Sequence, residues 1–220
     1  GSLSIPISNT LDFIVGLQRA TLSLKRLSEV HSEKNESLAI AKTEVIEPGH
    51  IGITNLDFVY GESTSHKVLD NITLTIPKGK ITAIVGSSGS GKTTLLKLLL
   101  KLYEPGKGKI NIGNDNLRFM NTKKWREHCG AVLQDSSLFN DTLGRNITES
   151  RANRPTDRNR LLEVVAMANL SELVENLPLG LDTLIGEQGN LLSGGEKQRL
   201  LIARAIYKNP DYLFFDEATS

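Results

Sequence analysis

Gly86-Ser87-Ser88-Gly89-Ser90-Gly91-Lys92-Thr93-Thr94 decides the reading of this chain. It spells G-x-x-x-x-G-K-[ST], follows the apolar, β-branched run Ile81-Thr82-Ala83-Ile84-Val85, and precedes the leucine-rich run Leu95-Leu96-Lys97-Leu98-Leu99-Leu100. Strand, loop and helix in that order is the context the motif requires. Glycine and serine let the loop backbone bring several N–H groups to bear on one anion. The helix that starts near Gly91 adds unpaired N–H groups and a positive dipole end. Lys92 is placed to reach the β and γ phosphates, and the Thr93 hydroxyl to ligate Mg²⁺. The stretch therefore reads as a nucleoside triphosphate site.

The 220 residues suit one large or two small globular units. Lys and Arg number 26 against 25 Asp and Glu, a net charge of +1, so no electrostatic hold on nucleic acid is indicated. Clusters such as Lys123-Lys124 and the arginines between Arg151 and Arg160 read as solvated faces. The single Cys129 excludes an internal disulfide and fits a reducing compartment. His31, His50, His66 and His128 are not at metal-ligand spacing. There is no apolar stretch long enough to span a bilayer.

Working outward, residues 8–32 place Leu11, Ile14, Val15, Leu22, Leu24 and Leu27 at mostly helical spacing, with charges entering from Arg19 onward. This amphipathic helix is either packed on the domain or the end of something longer. Residues 33–50 are polar, end in Pro48-Gly49 and read as a linker. Residues 51–60 and 68–76 alternate as antiparallel strands around a polar turn. Beyond the loop and its helix come a short strand at 109–112, a short helix near Trp125 and a strand at 130–133. Residues 136–200 then turn helical, through Leu161, Leu162, Val165, Leu170 and Leu173.

Two further elements carry chemistry. Tyr212-Leu213-Phe214-Phe215 is a buried-strand run that ends in Asp216-Glu217, where ligands of open α/β sheets sit. Asp216 can hold Mg²⁺, usually through water, and Glu217 can polarise an attacking water. Taken alone, the pair reads first as a helix N-cap, and the upstream phosphate loop reverses that reading. Leu192-Ser193-Gly194-Gly195-Glu196 is a second helix start suited to an anion, with Ser193 as the cap. One triphosphate does not need two such sites, whereas a dimer in which each chain covers the other's nucleotide does.

Over residues 51–220 these ordered motifs resemble the nucleotide-binding domain of ATP-binding cassette (ABC) transporters. The resemblance implies a P-loop α/β ATPase core with an antiparallel β subdomain and a helical subdomain at about 136–200. It implies ATP and Mg²⁺ as cofactors, Tyr60 stacking on adenine, and Gly86, Ser87, Ser88, Gly89, Ser90, Gly91, Lys92, Thr93 and Thr94 on the phosphates. Gln134, in Val132-Leu133-Gln134-Asp135, becomes the Q-loop glutamine, on both nucleotide and metal beside Thr93 and Asp216. Glu217, Lys92 and Gln134 become the catalytic set, and Ser193, Gly194 and Gly195 complete the site of a second copy. Residues 183–189 look like the exporter loop that meets the membrane domain.

Residues 1–32 look like the cytosolic end of the last transmembrane helix of exporters, above all the peptidase-containing peptide and bacteriocin type. The implied setting is the cytoplasmic face of a cell membrane, with a membrane domain on the same polypeptide and a peptide as cargo. A soluble non-transport ATPase of the same superfamily and a non-catalytic ATP-binding module stand as alternatives. Family members continue past Ser220 into a D-loop and a switch histidine, so these residues alone are expected to bind and hydrolyse nucleotide poorly.

Overall fold

The computed structural model describes residues 4–32, 46–61, 67–149, 155–186 and 189–216. The chain divides into two units, Gly1–Ala39 and Ile40–Ser220. The first unit holds one helix, α1 (Ser4–Ser32), in which Phe13, Leu17, Leu22, Leu24 and Leu27 are all exposed. No helix among the described residues is long and apolar enough to cross a membrane. Most of the expected linker, residues 33–45, lies outside the described residues.

The second unit is built on two hydrophobic cores. Around the first lies an antiparallel sheet in the order β2-β1-β3-β4, from β1 (Ile51–Phe58), β2 (Leu69–Ile76), β3 (Lys107–Ile112) and β4 (Asp115–Asn116). Alternation along β1, shifted by an irregularity between Ile53 and Leu56, puts Ile51, Ile53, Leu56 and Phe58 inside, in one core with Leu95, Leu96, Leu98 and Leu99 of α2 (Lys92–Leu99). Gly108 has a φ of +81°, and a Cβ there would stand 2.3 Å from the Asn55 carbonyl oxygen, so glycine is obligatory where β3 enters the sheet.

Trp125, on α3 (Thr122–Glu127), is fully buried in this core, and its indole Nε1 donates to the Leu99 carbonyl at 2.7 Å. Beside it, Arg126 donates to the carbonyls of Leu100 and Lys101. The last carbonyl of the phosphate-loop helix, at Leu99, and those of the two residues that follow it are thus satisfied by side chains of α3, while backbone N–H groups of Leu100, Lys101 and Leu102 take the carbonyls of Leu96, Leu98 and Lys97.

The second core joins α4 (Leu143–Thr148), α5 (Arg158–Met167), α6 (Ser171–Asn176) and α7 (Gly194–Tyr207) through Leu143, Ile147, Val164, Leu170, Leu200 and Ala203. The second half of α7, from Leu200 to Tyr207, supplies its share of this core and packs on α4 and α5. A parallel pair, β5 (Cys129–Val132) and β6 (Tyr212–Phe215), lies next to α7.

One expectation fails. Residues 81–85 form no strand: Ile81 and Val85 are almost fully exposed, and no strand pairs with the run among the described residues. The composition that marks a strand describes a surface suited to a sheet, and a strand forms only where neighbours supply the ladder.

Candidate functional site

The phosphate loop ends at Gly91, whose φ of +90° and ψ of +9° turn the chain into α2 with no side chain capping the helix. The first N–H groups of α2 are therefore left for a ligand, and the dipole there favours an anion by about 0.3 to 2 kcal/mol. The turn needs glycine on two counts. A Cβ at Gly91 would meet Leu69 Cδ2 at 2.7 Å and the Val68 carbonyl oxygen at 3.0 Å. At Gly86 it would meet Ser90 Oγ at 2.6 Å, so a methyl there would have to turn the Ser90 hydroxyl aside.

Lys92 Nζ donates to the carbonyls of Gly86 and Ser87, at 2.9 and 2.8 Å, which holds the ammonium over the loop. Ser88, Gly89, Gly91, Lys92, Thr93, Thr94, Val68 and Gln134 line a common cavity of about 320 Å³. The fold thus brings Gln134, forty-two residues downstream of Lys92, to the phosphate loop. Its neighbour Asp135 forms an ion pair with Lys97 on α2 at 3.9 Å. Sequence reasoning passed over Val68, whose apolar type carries no chemical signal.

Tyr60 stands beside the cavity. Its hydroxyl lies 3.0 Å from Thr94 Oγ1, and its ring meets Phe58 and Tyr103 edge to face at 4.9 and 5.2 Å. About two-fifths of the residue is exposed, so the ring keeps a free surface while the hydroxyl ties it to the loop helix.

Asp216 follows β6, and its N–H donates to Val132 at 2.9 Å, which extends the parallel register one residue past Val132↔Phe215. Asp216 thus leaves the pair at the same end from which Leu133 and Gln134 leave β5. It is 6% exposed, and its Oδ2 has no hydrogen-bond partner among the described residues. A buried carboxylate oxygen without a partner is costly unless a cation answers it. Mg²⁺ prefers oxygen donors and keeps part of its water shell, so Asp216, with Thr93 and Gln134 at the cavity, fits that ion. Glu217 lies outside the described residues.

The second helix start is α7. Ser193 caps it in a reciprocal box: Glu196 N donates to Ser193 Oγ at 3.4 Å, and Ser193 N and Oγ both donate to Glu196 Oε2 at 2.7 Å. The Ser193 hydroxyl, then its N–H, hold the Glu196 carboxyl below its ordinary range. Gly194 has open space where a side chain would be, and Ser193, Gly194 and Gly195 are exposed. None of the three lines the cavity of its own chain. In the expected membrane-facing loop, Thr183 and Ile185 are buried and Leu184 is exposed, while residues 187 and 188 lie outside the described residues.

Comparison with known proteins agrees with this geometry. Residues 69–220 match the model of the family described as ABC transporter. The mitochondrial protein named iron-sulfur clusters transporter ATM1 of Saccharomyces cerevisiae is 39% identical over 99% of this chain and 31% of its own length. ABC transporter B family member 28 of Arabidopsis thaliana is 38% identical over 78% of the chain and 24% of its own length. Among solved structures, a bacterial Atm1-family ABC exporter with ATP bound superposes with a TM-score of 0.81 and 33% identity, covering 92% of this chain and 35% of that one. The chain spans about a third of the length of the first of these relatives. Nothing among them supports the peptide and bacteriocin type. The chain belongs to the ABC transporter family, whose ATPase domains bind ATP with Mg²⁺.

Proposed function

We propose that this chain is the ATP-hydrolysing part of an Atm1-like exporter, working as a pair of copies and attached to a membrane domain on its own polypeptide. One observation supports the reading: the phosphate loop and Gln134 line a common cavity and Asp216 Oδ2 is buried without a partner among the described residues, while Ser193, Gly194 and Gly195 are exposed and line none of that cavity. A second copy, turned head to tail, would present those exposed glycine amides to the nucleotide. Iron-sulfur clusters, for which the ATM1 relatives are named, stand as the model for cargo in place of a peptide.

Each residue then has a task. The loop amides and the start of α2 hold the phosphates, Lys92 leaves two carbonyls for the β and γ oxygens, and Tyr60 offers its ring to the base. Thr93, Gln134 and Asp216 would hold Mg²⁺, which when bound neutralises charge between the β and γ phosphates. Glu217 orients the attacking water. Catalysis in this scheme is positioning and charge stabilisation rather than covalent chemistry.

The test is Mg·ATP binding and phosphate release by the protein in its membrane. Lys92→Ala is expected to lose binding. Glu217→Gln is expected to keep binding and lose most turnover. Turnover that survives Glu217→Gln would remove Glu217 from its role, and absence of ATP binding by the wild type would remove the reading altogether.

A further inference from the structure

Arg204 sits on α7, the helix whose first turn is Gly194-Gly195, yet its guanidinium spends its donors on the segment that follows Gln134. Nη1 donates to the Ser137 carbonyl at 2.8 Å, Nε to the Asn146 carbonyl at 2.7 Å and Nη2 to Asn146 Oδ1 at 2.8 Å. The same group lies 4.9 Å from the centre of the Phe139 ring. Burial pulls its pKa below the ordinary arginine value, the mark of a cation committed to protein partners rather than water.

Asn146 completes the clamp. It is fully buried on α4, its Oδ1 also accepts from Phe139 N at 2.8 Å, and its Nδ2 donates to the carbonyls of Phe139 and Thr142 at 3.0 Å. At the near end of the segment, Leu133 N donates to Ser136 Oγ and Ser136 N to the Leu133 carbonyl, closing a tight turn around Gln134. Between turn and clamp there is no free length.

We propose that Arg204 is a positioning residue for the phosphate site: it fixes Gln134 in the cavity according to the placement of α7, and so links the Ser193–Gly195 turn of a chain to that chain's own nucleotide. The inference rests on the proposed ATP site, and its test separates the two. Arg204 touches no residue of the cavity lining, so its effect must travel through Gln134.

ATP affinity is measured on the full protein with EDTA and with Mg²⁺, for wild type, Arg204→Lys, Gln134→Ala and the double variant. Lysine keeps the charge and the stem but cannot serve three acceptors in one plane, so the fold is retained where Arg204→Ala endangers it. Each single change is expected to lower the Mg²⁺-dependent gain in affinity roughly fivefold or more, and the double no further than the worse single, the non-additivity of residues acting in one chain. Affinity in EDTA is expected to stay at the wild-type value for Arg204→Lys. Additive losses, a wild-type Mg²⁺ response in Arg204→Lys or in Gln134→Ala, or an equal loss in EDTA would each overturn the proposal. A wild type without ATP affinity would instead overturn the site.

Discussion

Replacing Gly91 by alanine tests the phosphate loop where its geometry is tightest. Two costs add. The backbone conformation, φ +90° and ψ +9°, is one that residues with a Cβ resist by about 1 to 2 kcal/mol. The new methyl would also stand 2.7 Å from Leu69 Cδ2, which can turn aside, and 3.0 Å from the Val68 carbonyl oxygen, which cannot without shifting β2. Overpacking of that kind costs about 1 to 3 kcal/mol, so Gly91→Ala is expected to destabilise by roughly 2 to 5 kcal/mol. Gly89→Ala is the control. Its φ is +78° but nothing lies within 4 Å of the added methyl, so the backbone cost of about 1 to 2 kcal/mol should stand alone. Urea unfolding followed by fluorescence reads the difference, because the only tryptophan, Trp125, is buried against the far end of the same helix. Equal midpoints for the two variants would refute the steric reasoning. A Gly91→Ala protein that keeps wild-type ATP affinity would further show that the cradle tolerates a displaced Val68.

Three other perturbations have definite expectations. Trp125→Phe leaves the buried Leu99 carbonyl without its donor and opens space in the first core, and it should cost about 2 to 4 kcal/mol by urea unfolding, with α2 losing amide-exchange protection. Asp216→Asn removes a buried charge without a partner, so the melting temperature should hold or rise while Mg²⁺-dependent ATP affinity falls roughly 10- to 100-fold; an unchanged Mg²⁺ response would take Asp216 out of the metal site. Glu196 is held below its ordinary value of 4.5, so the capping box contributes stability above that pH and loses it as the pH drops through the lowered value. An NMR titration should find that carboxyl below 4.5, and Ser193→Ala should return it upward.

The loop, its helix and the capping of α7 were legible in the sequence because each rests on local chemistry: glycines where a Cβ clashes, serine three residues before glutamate, an apolar run after a polar break. Gln134 was legible through family resemblance alone, since a glutamine at a strand end says nothing by itself, and its arrival at the cavity depends on the core that β5 and α2 share. Arg204 and Asn146 escaped notice because their task is set by a contact across 58 residues, and each looks like an ordinary helix position. Tyr60 was read for its ring, and its bond to Thr94 appears only once β1 and α2 are packed together. The run at 81–85 shows the opposite fault, a local signal with no ladder to complete it.

That run has a consequence for anyone who handles the protein. Ile81 and Val85 are bare, and Leu213 and Phe215 of the short parallel pair are nearly half exposed. Backbone groups without a ladder, dressed in β-branched side chains, invite pairing with another molecule of the same kind. A lysine placed within the run, away from Gly86, is therefore expected to raise the concentration these 220 residues reach in solution.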